Sequence, residues 1–320
     1  MSPFPRYPPP AMSPLLTVST NEGLKSEPLR EALRSALAGK TVALEDFMCR
    51  HGGGNDPRPN LRLAAAFGAE MAALPGTAGR LLSLLGTDDA APDTPQVFLP
   101  MAAAYGWVGR LKAGLDVDQA WPALAELAAD ERAPVRLGTL DALSAFAVRP
   151  GGGDALVVHA LEWLDDEERD RRFGTAALAA DIFANRQVLT GLADMQPLLD
   201  YLSRAIETVA SAPRSAERSD SRRRLIAALP SALAAVVVGV AGDERGADWL
   251  EAECKAAKHP EVRAMLSEAI LRSRANKTQG QSPAITARLR TALESSAKPL
   301  RDPTRKRPGT DRGKASRRVK

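Results

Sequence analysis

Apolar residues recur at helical spacing along most of the chain. Segments 42–50, 77–85, 118–129, 155–164, 195–210 and 245–257 each place them three or four positions apart, with polar residues between. That spacing gives a helix one apolar face. Glycines and short polar turns separate the segments. Residues 28–38 predict another helix, with Ser26 as N-cap and Gly39 as the stop, and 284–297 predict one more behind Ser282. Residues 225–242 differ, being 18 positions without a charge behind Arg222, Arg223 and Arg224. Their length and basic flank fit a membrane span. Ala-rich content, Pro230 and the amphipathic neighbours favour instead a helix buried on all sides.

The helical segments alternate with a second series that shares a local grammar. Residues 136–139 read RLGT and 172–175 read RFGT, 36 positions apart. Asp130 lies six before Arg136, and Asp166 six before Arg172. Residues 56–62 (DPRPNLR) repeat the spacing from Asp56 to Arg62, and HPEVR ends at Arg263. Pro59, Pro134 and Pro260 are placed to open helices, where proline's missing donor costs nothing. Residues 93–98 (DTPQVF) keep Asp and Pro but carry Phe98 in place of Arg, and RRRL at 222–225 lacks the proline. With Arg62, Phe98, Arg136, Arg172, Arg223 and Arg263 as anchors, the steps are 36, 38, 36, 51 and 40. The long step contains a Ser/Arg-rich insertion, 211–221, that reads as a loop with few buried contacts.

A helix, a turn with Asp and Arg and often Pro, and a second helix make one unit. The unit resembles the HEAT repeat, with APVR at 133–136 and PEVR at 260–263 as the best matches. The resemblance covers about residues 42–275, at a period shorter than usual for that family. The tetratricopeptide pattern of Trp, Leu-Gly and Tyr is absent. The resemblance implies an all-α, right-handed α-solenoid of about six HEAT-like helix pairs, with the helices at 28–38 and 284–297 as caps. One such pair cannot bury its apolar face alone, so stacking builds the core. The recurring Asp56, Arg62, Asp130, Arg136, Asp166, Arg172 and Arg263 are expected to form a structural ladder between repeats. Gly138 and Gly174 lie inside helices, where glycine costs about 1 kcal/mol against Ala, and close helix packing is the expected reason.

Composition agrees with a helical chain. It holds 57 Ala and 40 Leu among 320 residues and only 4% aromatics, which argues against an all-β fold. Six prolines in the first 14 residues favour extended chain, so 1–25 are expected to be disordered, with Met12 as an alternative start. No secretory signal is read there. The solenoid is expected over 26–297 and a basic disordered tail over 298–320. That tail carries Lys298, Arg301, Arg305, Lys306, Arg307, Arg312, Lys314, Arg317, Arg318 and Lys320 against Asp302 and Asp311, a charge of +8. Residues 1–297 hold 33 basic and 37 acidic residues, or −4. Such an arm can bind phosphates of DNA or RNA, or serve only to keep the chain solvated.

Candidate chemistry is sparse. Cys49 and Cys254 read as free thiols of a reducing, cytoplasmic compartment. Cys49 with His51 and Cys254 with His259 do not have zinc-finger spacing, so no metal is expected. HGGGN at 51–55 and the glycines at 151–153 follow no strand and lack the Lys-Ser/Thr of a P-loop, so no phosphate-binding cofactor is expected either. There is no Gly-x-Ser-x-Gly elbow, and His159 reads as a core residue. One group of alkylpurine DNA glycosylases resembles this chain in being built from HEAT-like repeats. That resemblance would imply a basic groove with a carboxylate and aromatics at the lesion. Asp141 and Asp181 are the candidate carboxylates and Trp107, Trp121 and Trp163 the candidate aromatics, although Trp121 and Trp163 also read as packing residues. The expected function is a non-enzymatic interaction scaffold that binds a protein partner on its concave face. The alternative is a DNA-binding or alkylation-repair protein, and membrane insertion is third.

Overall fold

A computed structural model describes residues 27–54, 58–74, 76, 78–238, 244–275 and 283–296. The expected disordered N-terminus, the basic tail and Asp56 lie outside the described residues. Those described are all-α, with no strand among them. In chain order the helices are α1 (Glu27–Leu37), α2 (Val42–Gly52), α3 (Leu61–Ala72), α4 (Ala78–Gly86) and α5 (Phe98–Lys112). Then come α6 (Val117–Ala129), α7 (Ala133–Ala147), α8 (Gly152–Trp163), α9 (Arg169–Phe183) and α10 (Arg186–Thr190). The last are α11 (Gln196–Ala210), α12 (Asp220–Val238), α13 (Arg245–Ala256), α14 (Pro260–Ala275) and α15 (Pro283–Ser295).

Local chemistry sets the helix starts. Pro134 lies in the first turn of α7 and Pro260 opens α14. Pro59, in contrast, stays outside α3. Asn60 is the N-cap there, and its side chain accepts from the Leu63 N–H at 3.1 Å. The short helix α10 starts behind Asn185, whose side chain caps Gln187.

The helices that carry the sequence anchors pack on one another in chain order. α3 lies on α5, α5 on α7, α7 on α9, α9 on α12, and α12 on α14. The contact between α7 and α9 is the slightest of these, while α6 also packs on α9. α5 is nearly enclosed, by α3, α4, α6 and α7, and every residue from Phe98 to Leu111 is buried. One connected set of buried side chains extends from Leu29 to Leu293. Gly68 and Gly109 let α3 and α5 approach closely, since a Cβ on Gly109 would lie 2.0 Å from the Gly68 carbonyl oxygen. Gly138 is likewise crowded by Met101, and Gly174 by Ala129.

Residues 225–238 of the apolar segment form the body of α12, packed against α9 and α14, and 239–242 lie outside the described residues. No helix among the described residues is long and apolar enough to cross a membrane. The 211–221 insertion is more structured than expected. Residues Arg214–Arg218 form a 3-10 turn that buries Ala216, and Ser219 donates to Asp170 at 2.6 Å. Its small residues mask these contacts in the sequence, because no periodicity marks a single turn.

Candidate functional site

α7 and α12 both flank α9, and a recess of about 310 Å³ opens between them. Its floor comes from α9 through Gly174, Ala177, Leu178 and Asp181. Arg136, Leu137 and Leu140 of α7 form one wall, and Arg224, Ala227 and Ala228 of α12 the other. Residues 174, 177, 178 and 181 share one helix face by their three- and four-residue spacing. Arg136, Gly174 and Arg224 all lie near the N-terminal ends of their helices, whereas Asp181 lies near the C-terminal end of α9. Seven residues separate Gly174 from Asp181, a rise of roughly 10 Å along the helix.

The charges in this recess are poorly compensated. Burial draws the Arg224 guanidinium below its ordinary value, and the like charge of Arg136 adds to the effect against Asp220 and Asp181. Arg136 is also lowered, chiefly by burial. Arginine stays protonated regardless, so the lowering expresses charge held at a cost. Arg136 donates through Nη1 to the Asp130 carbonyl at 2.7 Å and the Glu131 carbonyl at 2.5 Å. Arg224 donates through Nη2 to Ser221 Oγ at 2.9 Å. Among the described residues, neither has a carboxylate at ion-pair distance. Asp181 presents accessible surface but is ringed by the groove walls. Burial pushes its carboxyl up to about 6, and Arg224 only partly offsets this.

Asp141 is not part of this recess. It sits exposed on α7 and accepts from the Tyr105 hydroxyl at 2.5 Å. Burial and the nearby carboxylate raise the Tyr105 phenol well above its ordinary value, so it remains a donor. The two candidate carboxylates therefore occupy different surroundings, and only Asp181 shares a cavity with cations. The candidate aromatics also stand elsewhere. Trp121 stacks on His159 with centroids 4.1 Å apart and meets Phe146 edge-on at 5.7 Å. Trp163 packs beside it at 6.1 Å, and Trp107 is 1% exposed. His159, expected in the core, is half-buried and contacts Glu162 at 2.6 Å.

The Asp–Arg ladder takes a different pairing from the expected one. Asp130 holds Arg132 at 2.6 Å, while Arg136 reaches backbone carbonyls. Asp166 pairs with Arg171 at 2.5 Å instead of Arg172, and Arg171 also bridges to Glu126 of α6. Adjacent helical residues point about 100° apart, so a one-residue shift changes the partner. The Arg172 Nε is buried without a hydrogen bond among the described residues. Arg62 is exposed, and Arg263 donates to Ser296. Next to the expected Arg223 anchor, it is Arg222 that is buried, donating to Glu261 of α14 and to the Val209 carbonyl at 3.3 Å.

Three cations were not singled out as functional from sequence. Arg224 lay inside the basic run 222–224 and nothing separated it from its neighbours. Arg222 was hidden in the same run. Arg110 ends the apolar helix α5, is 1% exposed, and is held by Asp116 at 2.6 Å and the Met71 and Leu74 carbonyls. A basic residue still within the continuous apolar run of a helix is a signal that could have found it.

A second recess, of about 510 Å³, lies between α11, α13 and the start of α14 and is lined by Glu207, Glu253, Lys258 and His259. Among the described residues the buried His259 Nδ1 has no hydrogen-bond partner, with Glu261 4.0 Å away. Cys254 of α13 is fully buried, and burial pushes its thiol up to about 12, which suppresses thiolate chemistry. Among the described residues no three His, Cys, Asp or Glu side chains gather as a metal site would need. No protein-family model matches the chain, and no curated protein matches it.

Proposed function

We propose that this protein is a HEAT-like interaction scaffold. In this reading the helices form a right-handed α-solenoid of about six pairs, with α1 and α15 as caps. A protein partner binds across the face lined by α7, α9, α12 and α14. The observation that carries the reading is the packing of each anchor helix on the next in chain order. Such an array buries a continuous core and leaves an extended face for a partner. The α7–α9–α12 recess supplies that face with a polar anchor. The basic 298–320 arm acts beside it on phosphates or nucleic acid. Capture of partners by the full chain and by a chain lacking 298–320, each at low and raised salt, tests this. Partners retained by the shortened chain at raised salt support the scaffold. Partners lost with the tail refute it, since a polycation alone then collects them.

A second reading draws on Asp181. A carboxyl raised to about 6 by burial, with the Arg224 guanidinium nearby, is a fit candidate for acid–base work in a HEAT-like DNA glycosylase. Trp121 and Trp163 are committed to packing with Phe146 and His159, which leaves this reading without a stacking surface at the carboxylate. Base release from alkylated DNA that is lost in Asp181→Asn, with DNA binding kept, would replace the scaffold by the glycosylase.

A further inference from the structure

We propose that the α7–α9–α12 recess is a binding site for a phosphate monoester carried on a short apolar stem, which rests on the reading of this face as a binding surface. The phosphate lies between Arg136 and Arg224, and the stem lies over Leu137, Leu140 and Leu178.

Charge complementarity is the first argument. Two guanidiniums share one small recess, and among the described residues neither is neutralised by a carboxylate at ion-pair distance. Arg136 spends its Nη1 on two carbonyls and Arg224 one Nη2 hydrogen on a serine, so both retain free donors. A phosphate monoester carries about −1.5 to −2 charge at neutral pH and three acceptor oxygens, which match a pair of guanidiniums. A single carboxylate would leave one of the two uncompensated.

Space is the second argument. A Cβ on Gly174 would meet the Ala129 Cα at 2.9 Å and stand 3.6 Å from Arg224 Nη2, so no side chain fits there and the floor beside that guanidinium stays flat. Shape is the third. Beyond the arginines the lining is aliphatic, and Leu137 is 45% exposed with nothing on it. The volume of about 310 Å³ falls at the low end for small-ligand clefts. Asp181 closes the far end, which disfavours a ligand bearing anions at both ends and sets the polarity of entry.

Calorimetric titration of the full chain at physiological salt, with phenyl phosphate as probe, decides this. Phenyl phosphate is expected to bind about tenfold more tightly than inorganic phosphate, because its ring covers the aliphatic wall. Arg224→Gln is expected to weaken it by about tenfold or more. That variant keeps the fold, since Arg224 bonds only within its own helix. Asp181→Asn, which removes the recess's own negative charge, is expected to strengthen binding several-fold.

Equal affinity for phenyl phosphate and inorganic phosphate, with no effect of Arg224→Gln, overturns the proposal and assigns the binding to the basic tail. A single-stranded DNA oligonucleotide that binds more tightly than phenyl phosphate through Arg224 overturns it in favour of a phosphodiester site. Partner capture that persists without phenyl phosphate binding would cost this inference alone. Phenyl phosphate binding without capture would cost the scaffold alone.

Discussion

Replacing Gly109 by Ala should destabilise the protein, although alanine is the better helix former. The new Cβ would sit 2.0 Å from the Gly68 carbonyl oxygen, 2.9 Å from its carbon and 3.4 Å from its Cα. All three are backbone atoms of α3, so no side-chain rotation relieves the clash. Separating the helices to an ordinary contact requires a shift of more than 1 Å, which loosens the packing around Phe67 and Leu82. Overpacking costs about 1–3 kcal/mol, and a rigid obstacle places this case near the top of that range. The helix-propensity gain returns about 1 kcal/mol, leaving a net loss of about 2 kcal/mol. For a chain of this size that is roughly a 3–4 °C fall in Tm. Gly86→Ala is the control, because its nearest neighbour would be the Ala103 Cβ at 3.7 Å. Thermal and urea unfolding followed by far-UV circular dichroism measure both. A Gly109→Ala protein as stable as its parent, or more stable, would refute the described approach of α3 to α5.

Other outcomes follow from the same coordinates. Leu178→Ala should cost about 2–5 kcal/mol, since Leu178 is 5% exposed, and the half-buried Leu140 should cost clearly less on the same urea curves. Glu261→Gln should destabilise by up to about 3 kcal/mol, because it strips the carboxylate from the buried Arg222, and a change under half a kcal/mol would dismiss that pair. The Asp181 carboxyl is raised in the folded state to about 6, from an ordinary value near 4. Its contribution to stability is therefore full below pH 4 and is lost as pH rises through 6. Asp181→Asn should flatten that limb of the stability–pH profile by less than about 1 kcal/mol after solvent screening, and an unchanged profile would contradict it.

Much of the helical order can be read from the sequence, because helix ends are local events. Segments 118–129, 195–210 and 245–257 end within a residue or so of α6, α11 and α13, since apolar periodicity and turn chemistry act over a few residues. Pro134 and Pro260 mark their helices for the same reason. The five-residue α10 escaped because it is shorter than two turns and shows no period. Pairings resisted for a different reason. Asp166 has Arg169, Arg171 and Arg172 within reach along the chain, and only the rotation of α9 against α6 selects Arg171. The recess is further removed still. Nothing local in Arg136, Asp181 or Arg224 says that α7 and α12 stand apart across α9 so that the three share one cavity.

The scaffold reading depends most on the helix pairs being stacked in a line, and small-angle X-ray scattering of residues 26–297 tests that directly. About seven layers at an interaxial spacing of about 9 Å predict a skewed distance distribution with a maximum dimension of roughly 60–70 Å. A compact domain of the same length would have a radius of gyration of about 18 Å and a near-symmetric distribution ending near 50 Å. The first profile is the one the account predicts, and the second would contradict it.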